Sequence, residues 1–269
     1  MERYVIHGGV RGYERLKVLA RVHQQATSAL LDRIDVRPGM RCVDVGCGSG
    51  DVTFELADRV GPSGHVLGID MDEVKLGLAR DTATEQGVAS IEFRVVDVNE
   101  WSEPGVYDVV FSRLLLEHLS RPVDLLQRMW EAVSPGGVVA VEDGDFEALF
   151  CYPPNAGHAF YANAYRETLR RHGGDPTMGR KLFASFLEAG IPHPEVTLTQ
   201  RVDNEGEAKT LPLLTLEAIA ETMIEDGLAS METVESTRDD LRRAAEDPAT
   251  IIGGPRIFHV WSRREPDGD

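Results

Sequence analysis

The sequence predicts an α/β chain built on a doubly wound, mostly parallel sheet. Short runs rich in Val and Ile alternate with longer helical patterns over residues 41–143. A glycine-rich stretch, VDVGCGSGD (43–51), begins inside the first such run, and acidic residues end the next two. Strands buried on both faces read as unbroken apolar runs, and the helices between them supply the crossovers that parallel pairing requires. With 269 residues, 42% hydrophobic and 27% charged, there is material for one large domain carrying sizeable insertions.

The elements follow in order. From Tyr13 to Ile34 the positions Leu16, Leu19, Ala20, His23, Ala26, Leu30, Leu31 and Ile34 recur at three- and four-residue steps, the mark of an amphipathic helix. RPGM (37–40) breaks it, so residues 1–35 are expected as an N-terminal helical lid segment and 36–269 as the main domain. RCVDVG (41–46) is expected as a buried strand and DVTFELADRV (51–60) as a helix. GHVLGID (64–70) is the next strand, and 71–87 a helix closed by Gly87. IEFRVVD (91–97) and YDVVFSR (107–113) are strands, PVDLLQRMWEAV (122–133) a helix and VVAVED (138–143) the fifth strand. Beyond this the alternation loosens into helical insertions after strands 5 and 6, at about 144–190 and 207–250, with a strand at 195–202 between them. Helices are expected at about 212–227 and 230–246, and RIFHVWSRR (256–264) alternates like a last strand.

Composition narrows the function. With 28 basic against 45 acidic side chains the formal charge is −17, which repels polyanions, so a nucleic-acid partner is not expected. No apolar stretch is long enough for a bilayer, and MERYVIHGGVRGYERL carries charges where a secretory leader needs its apolar segment. A cytoplasmic protein with no membrane partner is the expectation. Cys42, Cys47 and Cys151 form no CxxC pair and no cluster with histidine, so neither a disulfide framework nor a metal site is expected.

The glycine loop has the spacing G-x-G-x-G. That is not the G-x-G-x-x-G of dinucleotide sites, and no Gly-Lys-Ser/Thr follows, which excludes a triphosphate loop and disfavours a dinucleotide. Gly46, Gly48 and Gly50 remove side chains and permit positive φ, and the turn into a helix is expected to expose backbone N–H groups. Asp44 inside the motif would repel a pyrophosphate but suits an ammonium or sulfonium. Asp51 is expected to cap the following helix. Asp70 reads either as a ribose ligand or as a helix cap. Asp97 reads either as an acceptor for an adenine amine, with the Val98 N–H on the ring, or as a plain Asx turn.

Taken together, VDVGCGSG, GID, VVDV and the stretch YDVVFSRLLLEHLSRPVDLLQRMWEAVSPGGVVAVED resemble the class I S-adenosylmethionine-dependent methyltransferases, of the small-molecule type with a UbiE-like core. The resemblance spans 36–143, about two-fifths of the chain. It implies a Rossmann-like seven-stranded sheet whose last strand is antiparallel, with S-adenosylmethionine as cofactor and S-adenosylhomocysteine as product. Carried over, Gly46, Cys47 and Gly48 line the methionine part of the cofactor and Asp44 holds its amino group. Asp70 takes the ribose with Met71 beside the adenine, Asp97 and Val98 take the adenine edge, and Ser112 and Arg113 lie near the methionine carboxylate and the reactive methyl.

Methyl transfer is an in-line displacement, so the protein mainly positions the reactants and removes water. A protonated nucleophile needs a base, for which His118 in LLEHLSRP is the candidate; the alternative is a histidine that only hydrogen-bonds its loop. Tyr4 and the aromatic group Phe146, Tyr152, Tyr161 and Tyr165 are candidates for the acceptor pocket, with helix packing as the competing account of the last four. The expected function is methyl transfer to an oxygen or nitrogen of a small organic molecule, such as a specialised metabolite. A cofactor-binding protein of the same fold that performs another reaction or serves as a partner subunit is the second reading. A NAD-dependent oxidoreductase is the third. Oligomeric state is left open, a homodimer among the options.

Overall fold

A computed structural model describes residues 9–266. Five parallel strands form the first part of the sheet: β1 (Arg41–Val45), β2 (His65–Asp70), β3 (Ile91–Val95), β4 (Tyr107–Arg113) and β5 (Val133–Asp145). They are joined by α2 (Asp51–Val60), α3 (Glu73–Gln86) and α4 (Pro122–Ala132), behind a long α1 (Gly9–Arg33). Then come β6 (Phe150–Tyr152), α5 (Ala156–Arg171), α6 (Met178–Glu188), β7 (Glu195–Asp203), α7 (Leu211–Glu225), α8 (Met231–Glu246) and β8 (Ile251–Arg263). The strand order is β3-β2-β1-β4-β5-β8-β6, with β7 also on β8.

The last strand is antiparallel to its neighbours, as expected, but the sheet has eight strands rather than seven. The additional strand is β6, inside the aromatic stretch. Its cause lies in β8, which begins at Ile251, five residues before the predicted start. Residues 251–253 run past the end of β5, and Phe150–Tyr152 supply the partners their backbone groups need.

Alternation along β1 sorts its side chains between two cores. Cys42 packs with Leu31 and Ile34 of α1 and Leu56 and Val60 of α2. Val43 and Val45 face Leu126 and Met129 of α4 and Leu182 and Phe186 of α6 on the other side. Asp44 shares the Cys42 face at the strand's end, where α2 begins. A third apolar cluster joins α5, α7 and α8 through Tyr165, Leu169, Leu216, Ile219, Met223 and Leu241. Strand order reverses between β1 and β4, the position where open α/β sheets leave a crevice at their carboxyl ends. Among the described residues no helix is long and apolar enough to cross a membrane.

Candidate active site

A cavity of about 480 Å³ opens at that crevice. Its walls come from the loops after β1, β2, β3 and β4, from α1, and from α5 and α7. One end is lined by the glycine loop and the strand-end acids, the other by aromatic and buried polar side chains.

The loop is shaped by glycine. Gly46, Gly48 and Gly50 have φ of 74°, 53° and 79°. A side-chain carbon added at Gly46 would sit 2.8 Å from Leu115, and one at Gly48 3.0 Å from Leu16. Four amides of the loop before α2 are bonded within the protein. The N–H groups of Gly46 and Cys47 both donate to the Ile69 carbonyl, at 2.8 and 2.9 Å, and that of Gly50 to the Cys47 carbonyl at 2.8 Å. The Gly48 N–H donates to Asp70 Oδ2 at 2.9 Å. The β2 end thus takes up the N–H groups of Gly46, Cys47 and Gly48. The loop offers shape to a ligand rather than these amides.

Carboxylates occupy the same wall. Asp44 is buried and accepts from the Thr53 hydroxyl at 2.7 Å. Burial pushes its carboxyl up to about 6, against the pull of Thr53 and Arg113. Asp70 also accepts from the Asp72 N–H at 3.0 Å, so it is not the helix cap; Asp72 is, accepting from Val74 and Lys75 at 3.1 and 3.2 Å. Asp51 likewise is not a cap. Gly50 holds that position, and the Asp51 carboxylate pairs with Lys17 of α1 at 3.0 Å. Asp97 forms the Asx turn with Asn99 N–H at 2.9 Å, while Asp97 and Val98 also line the cavity. Met71 is exposed beside Asp70 with its side chain on the cavity wall.

Behind the loop, Arg113 donates to the Thr27 hydroxyl at 3.2 Å. That hydroxyl donates to Glu142 at 2.7 Å, and Glu142 meets His259 Nδ1 at 2.8 Å. Arg113 lines the cavity but Ser112 does not; its hydroxyl, fully buried, donates to the Val45 carbonyl at 2.9 Å and ties β4 to β1. His23 of α1 lines the cavity too. Burial and the Arg113 and Arg201 guanidiniums push it down to about 3, so it is neutral at ordinary pH.

At the far end, Phe146, Tyr161 and Tyr165 line the cavity, with the Phe146 and Tyr165 rings 4.9 Å apart. Tyr152 does not. It sits in β6, 64% exposed, because pairing with β8 directs the strand away from the cavity. Tyr4 lies outside the described residues. His118 is buried on the 3₁₀ turn Leu116–His118 with Nε2 at 3.3 Å from Glu117 Oε1, and burial pushes it down to about 4. It is therefore a weak proton acceptor at neutral pH. Glu117, Asp143, Arg15 and Lys75 were not singled out by the sequence reading; all are buried, and all but Asp143 line the cavity. For Glu117 a signal existed: an acid within the apolar run LLLEHL, the same anomaly that marks Asp44.

A profile for the methyltransferase domain matches residues 37–172, half of the chain. Trans-aconitate 2-methyltransferase from Deinococcus radiodurans is 31% identical over 182 residues, which cover 63% of this chain and 64% of that protein. A ubiquinone biosynthesis O-methyltransferase from Acinetobacter baylyi is 38% identical over 103 residues, 38% of this chain and 42% of that protein. The chain thus spans less than two thirds of the length of these relatives. A Haemonchus contortus phosphoethanolamine N-methyltransferase, solved with phosphomonomethylethanolamine and S-adenosylhomocysteine, shares the fold. Its TM-score is 0.57 at 18% identity, over 90% of this chain and 53% of that one. The profile match takes in the glycine loop and the strand ends that wall the cavity, and by it the chain belongs to the methyltransferase-domain family.

Proposed function

We propose that this protein transfers a methyl group from S-adenosylmethionine to an oxygen or nitrogen of a small organic molecule. The observation that carries this reading is the glycine loop with four of its amides spent internally and carboxylates facing the cavity beside it. Such a wall rejects a pyrophosphate and fits a nucleoside bearing ammonium and sulfonium charge. Those same amides weigh against the nicotinamide dinucleotide reading.

The residues present fit the cofactor. Gly46, Cys47 and Gly48 leave room for its methionine part, where a side chain on either glycine would crowd Leu115 or Leu16. Asp44 would hold the amino group and Arg113 the carboxylate, the latter oriented by Thr27. Asp70 would accept from the ribose with the capacity left beyond its two N–H donors. Met71 would cover the adenine, and Asp97 with Val98 would meet its edge. The bound cofactor supplies a methyl group on a sulfonium; the chain aligns the acceptor and excludes water. α1, which holds Lys17 on Asp51 and Thr27 on Glu142, would serve as the lid. The aromatic end of the cavity, and relatives named for small acceptors, support an acceptor of modest size.

Calorimetry tests the cofactor. S-adenosylhomocysteine is expected to bind with a dissociation constant on the order of micromolar, and NAD not to bind. The reverse order would replace this reading with the oxidoreductase. Transfer of labelled methyl from the cofactor to any acceptor separates a methyltransferase from a protein that uses the cofactor otherwise.

A further inference from the structure

A buried cation at the aromatic end of the cavity has no role in the cofactor site proposed above. Arg15 of α1 is 7% exposed and lines the cavity. Its Nε donates to the Thr215 hydroxyl of α7 at 3.1 Å. Its terminal Nη groups, among the described residues, have no hydrogen-bond acceptor and no ion-pair partner. The bond to Thr215 fixes one edge of a rigid plane, and the remaining N–H groups form a fork. Phe146, Tyr161 and Tyr165 wall the cavity at the same end.

A guanidinium taken out of water costs free energy unless a partner meets its charge and its N–H groups. The acids nearby do not supply that partner. Glu117 feels the Arg15 charge, but burial outweighs it and pushes the carboxyl up to about 7; its bonds go to the Asp143 and Gly144 groups of β5 and to Tyr165. Burial and the Glu117 charge push Asp143 well above the usual carboxylate range. Below about pH 7 both acids are therefore protonated and His118, pushed down to about 4, is neutral. The Lys75 ammonium is matched by Asp72 at 3.3 Å. The Arg15 charge is left without a counter-charge.

The fork and its walls define the group that would supply it. One guanidinium matches one negative charge, and its N–H groups suit two oxygens lying in a plane. The ring surfaces beside it suit a flat, apolar body. A carboxylate on an aromatic frame has all three properties, whereas a phosphate dianion would leave one charge unmatched. The cofactor's own carboxylate belongs elsewhere: Arg113 acts on Asp44 at the glycine loop, while Arg15 acts on Glu117, His118 and Tyr161. We propose that Arg15 binds a carboxylate on the methyl acceptor, so that the protein selects small aromatic acids. The proposal rests on the methyl-transfer reading above. Arg15 determines specificity, anchoring the acceptor by a group that need not itself receive the methyl.

The test uses the full chain saturated with S-adenosylhomocysteine and two probes of one shape, benzoate and its neutral amide, benzamide, with binding read by calorimetry. At about pH 6, wild type should bind benzoate more tightly than benzamide by about ten-fold or more. Arg15→Met keeps an unbranched apolar stem and removes the fork. It should bring the two probes within about two-fold of each other and leave the S-adenosylhomocysteine affinity within about two-fold of wild type. Arg15→Lys keeps the charge without the fork and should retain a smaller preference for benzoate. Equal binding of the two probes by wild type, binding of neither, a preference that Arg15→Met retains, or an undiminished one in Arg15→Lys would each overturn the proposal. So would a loss of S-adenosylhomocysteine affinity in Arg15→Met, which would give the fork to the cofactor's carboxylate. If Arg15→Met does not fold, the wild-type comparison and Arg15→Lys decide. Failure of S-adenosylhomocysteine to bind wild type would instead overturn the cofactor reading.

Discussion

Asp44 carries two opposed demands. As an ionised side chain at the buried end of β1 it destabilises the empty protein, which is why its carboxyl sits at about 6. As the proposed partner of an ammonium it must be ionised. The shift from an ordinary carboxylate corresponds to about 3 kcal/mol of stability absent above pH 6 when no ligand is bound. Asp44→Asn removes the charge and keeps an oxygen for the Thr53 hydroxyl. The variant is expected to melt at the same temperature as wild type or higher at about pH 8. Its S-adenosylhomocysteine affinity should fall by about ten-fold or more, read by calorimetry. In wild type that affinity should rise as pH passes upward through about 6. A variant that melts lower yet binds as well would remove Asp44 from the site. Gly46→Ala gives a steric counterpart: positive φ and the Leu115 contact both oppose the methyl, so binding should weaken without any change of charge.

At the scale of elements, α1 is fastened to the sheet by a buried hydroxyl as well as by its apolar stripe. Thr27 donates to Glu142 and accepts from Arg113, and Glu142 in turn holds His259 on β8. Thr27→Val preserves the shape and leaves the Glu142 oxygen without its donor, so urea denaturation should show a loss of about 2–3 kcal/mol. Cofactor affinity should weaken as well, because Arg113 loses the group that orients it. The sequence made some of these elements legible and hid others for physical reasons. The strands β1 to β5 and their helices announce themselves by apolar runs of the right length, as does the stripe of α1, which already included His23. A three-residue strand such as β6 has no period to detect, and exists only because β8 overruns β5. Whether loop amides are free depends on where the Ile69 carbonyl and Asp70 carboxylate end up, a tertiary fact. The same holds for the caps: Asp51 and Asp72 are both acids near helix starts, and only the backbone turn decides which one caps. His118 titrates near neutrality in water, and only its burial shows it to be a poor base here. Glu117 beside it was readable as an acid in an apolar run, but its pairing with Asp143 depends on another strand arriving.

For the whole molecule, the buried ionisable groups set an unusual dependence of stability on pH. Burial raises three acids, Asp44 to about 6, Glu117 to about 7 and Asp143 well above its usual range. Burial also lowers three histidines, His23 to about 3 and His118 and His158 to about 4. Between roughly pH 4.5 and 6 the folded chain holds protons on the three acids, and the unfolded chain holds them on the three histidines. The proton counts match, so stability should be nearly flat there. Above about pH 6.5 the unfolded histidines release theirs, while Glu117 and Asp143 in the folded state still retain protons. The folded state then binds more protons than the unfolded one, and stability falls by about 1 kcal/mol per pH unit near neutrality. Self-repulsion of a chain with formal charge −17 acts in the same direction. Below about pH 4 stability should fall instead, as exposed or half-buried carboxylates held low by arginine or lysine partners, such as those of Asp35, Asp175 and Glu207, take up protons. Melting curves from about pH 4 to about pH 9 should therefore show a mildly acidic plateau and a decline on the alkaline side. Saturating S-adenosylhomocysteine should reduce that decline, since the proposed ammonium contact favours ionised Asp44 and binding then strengthens as pH rises. A melting temperature that climbs steadily to pH 8 without ligand would show that the buried acids are ionised in the folded protein and already paired.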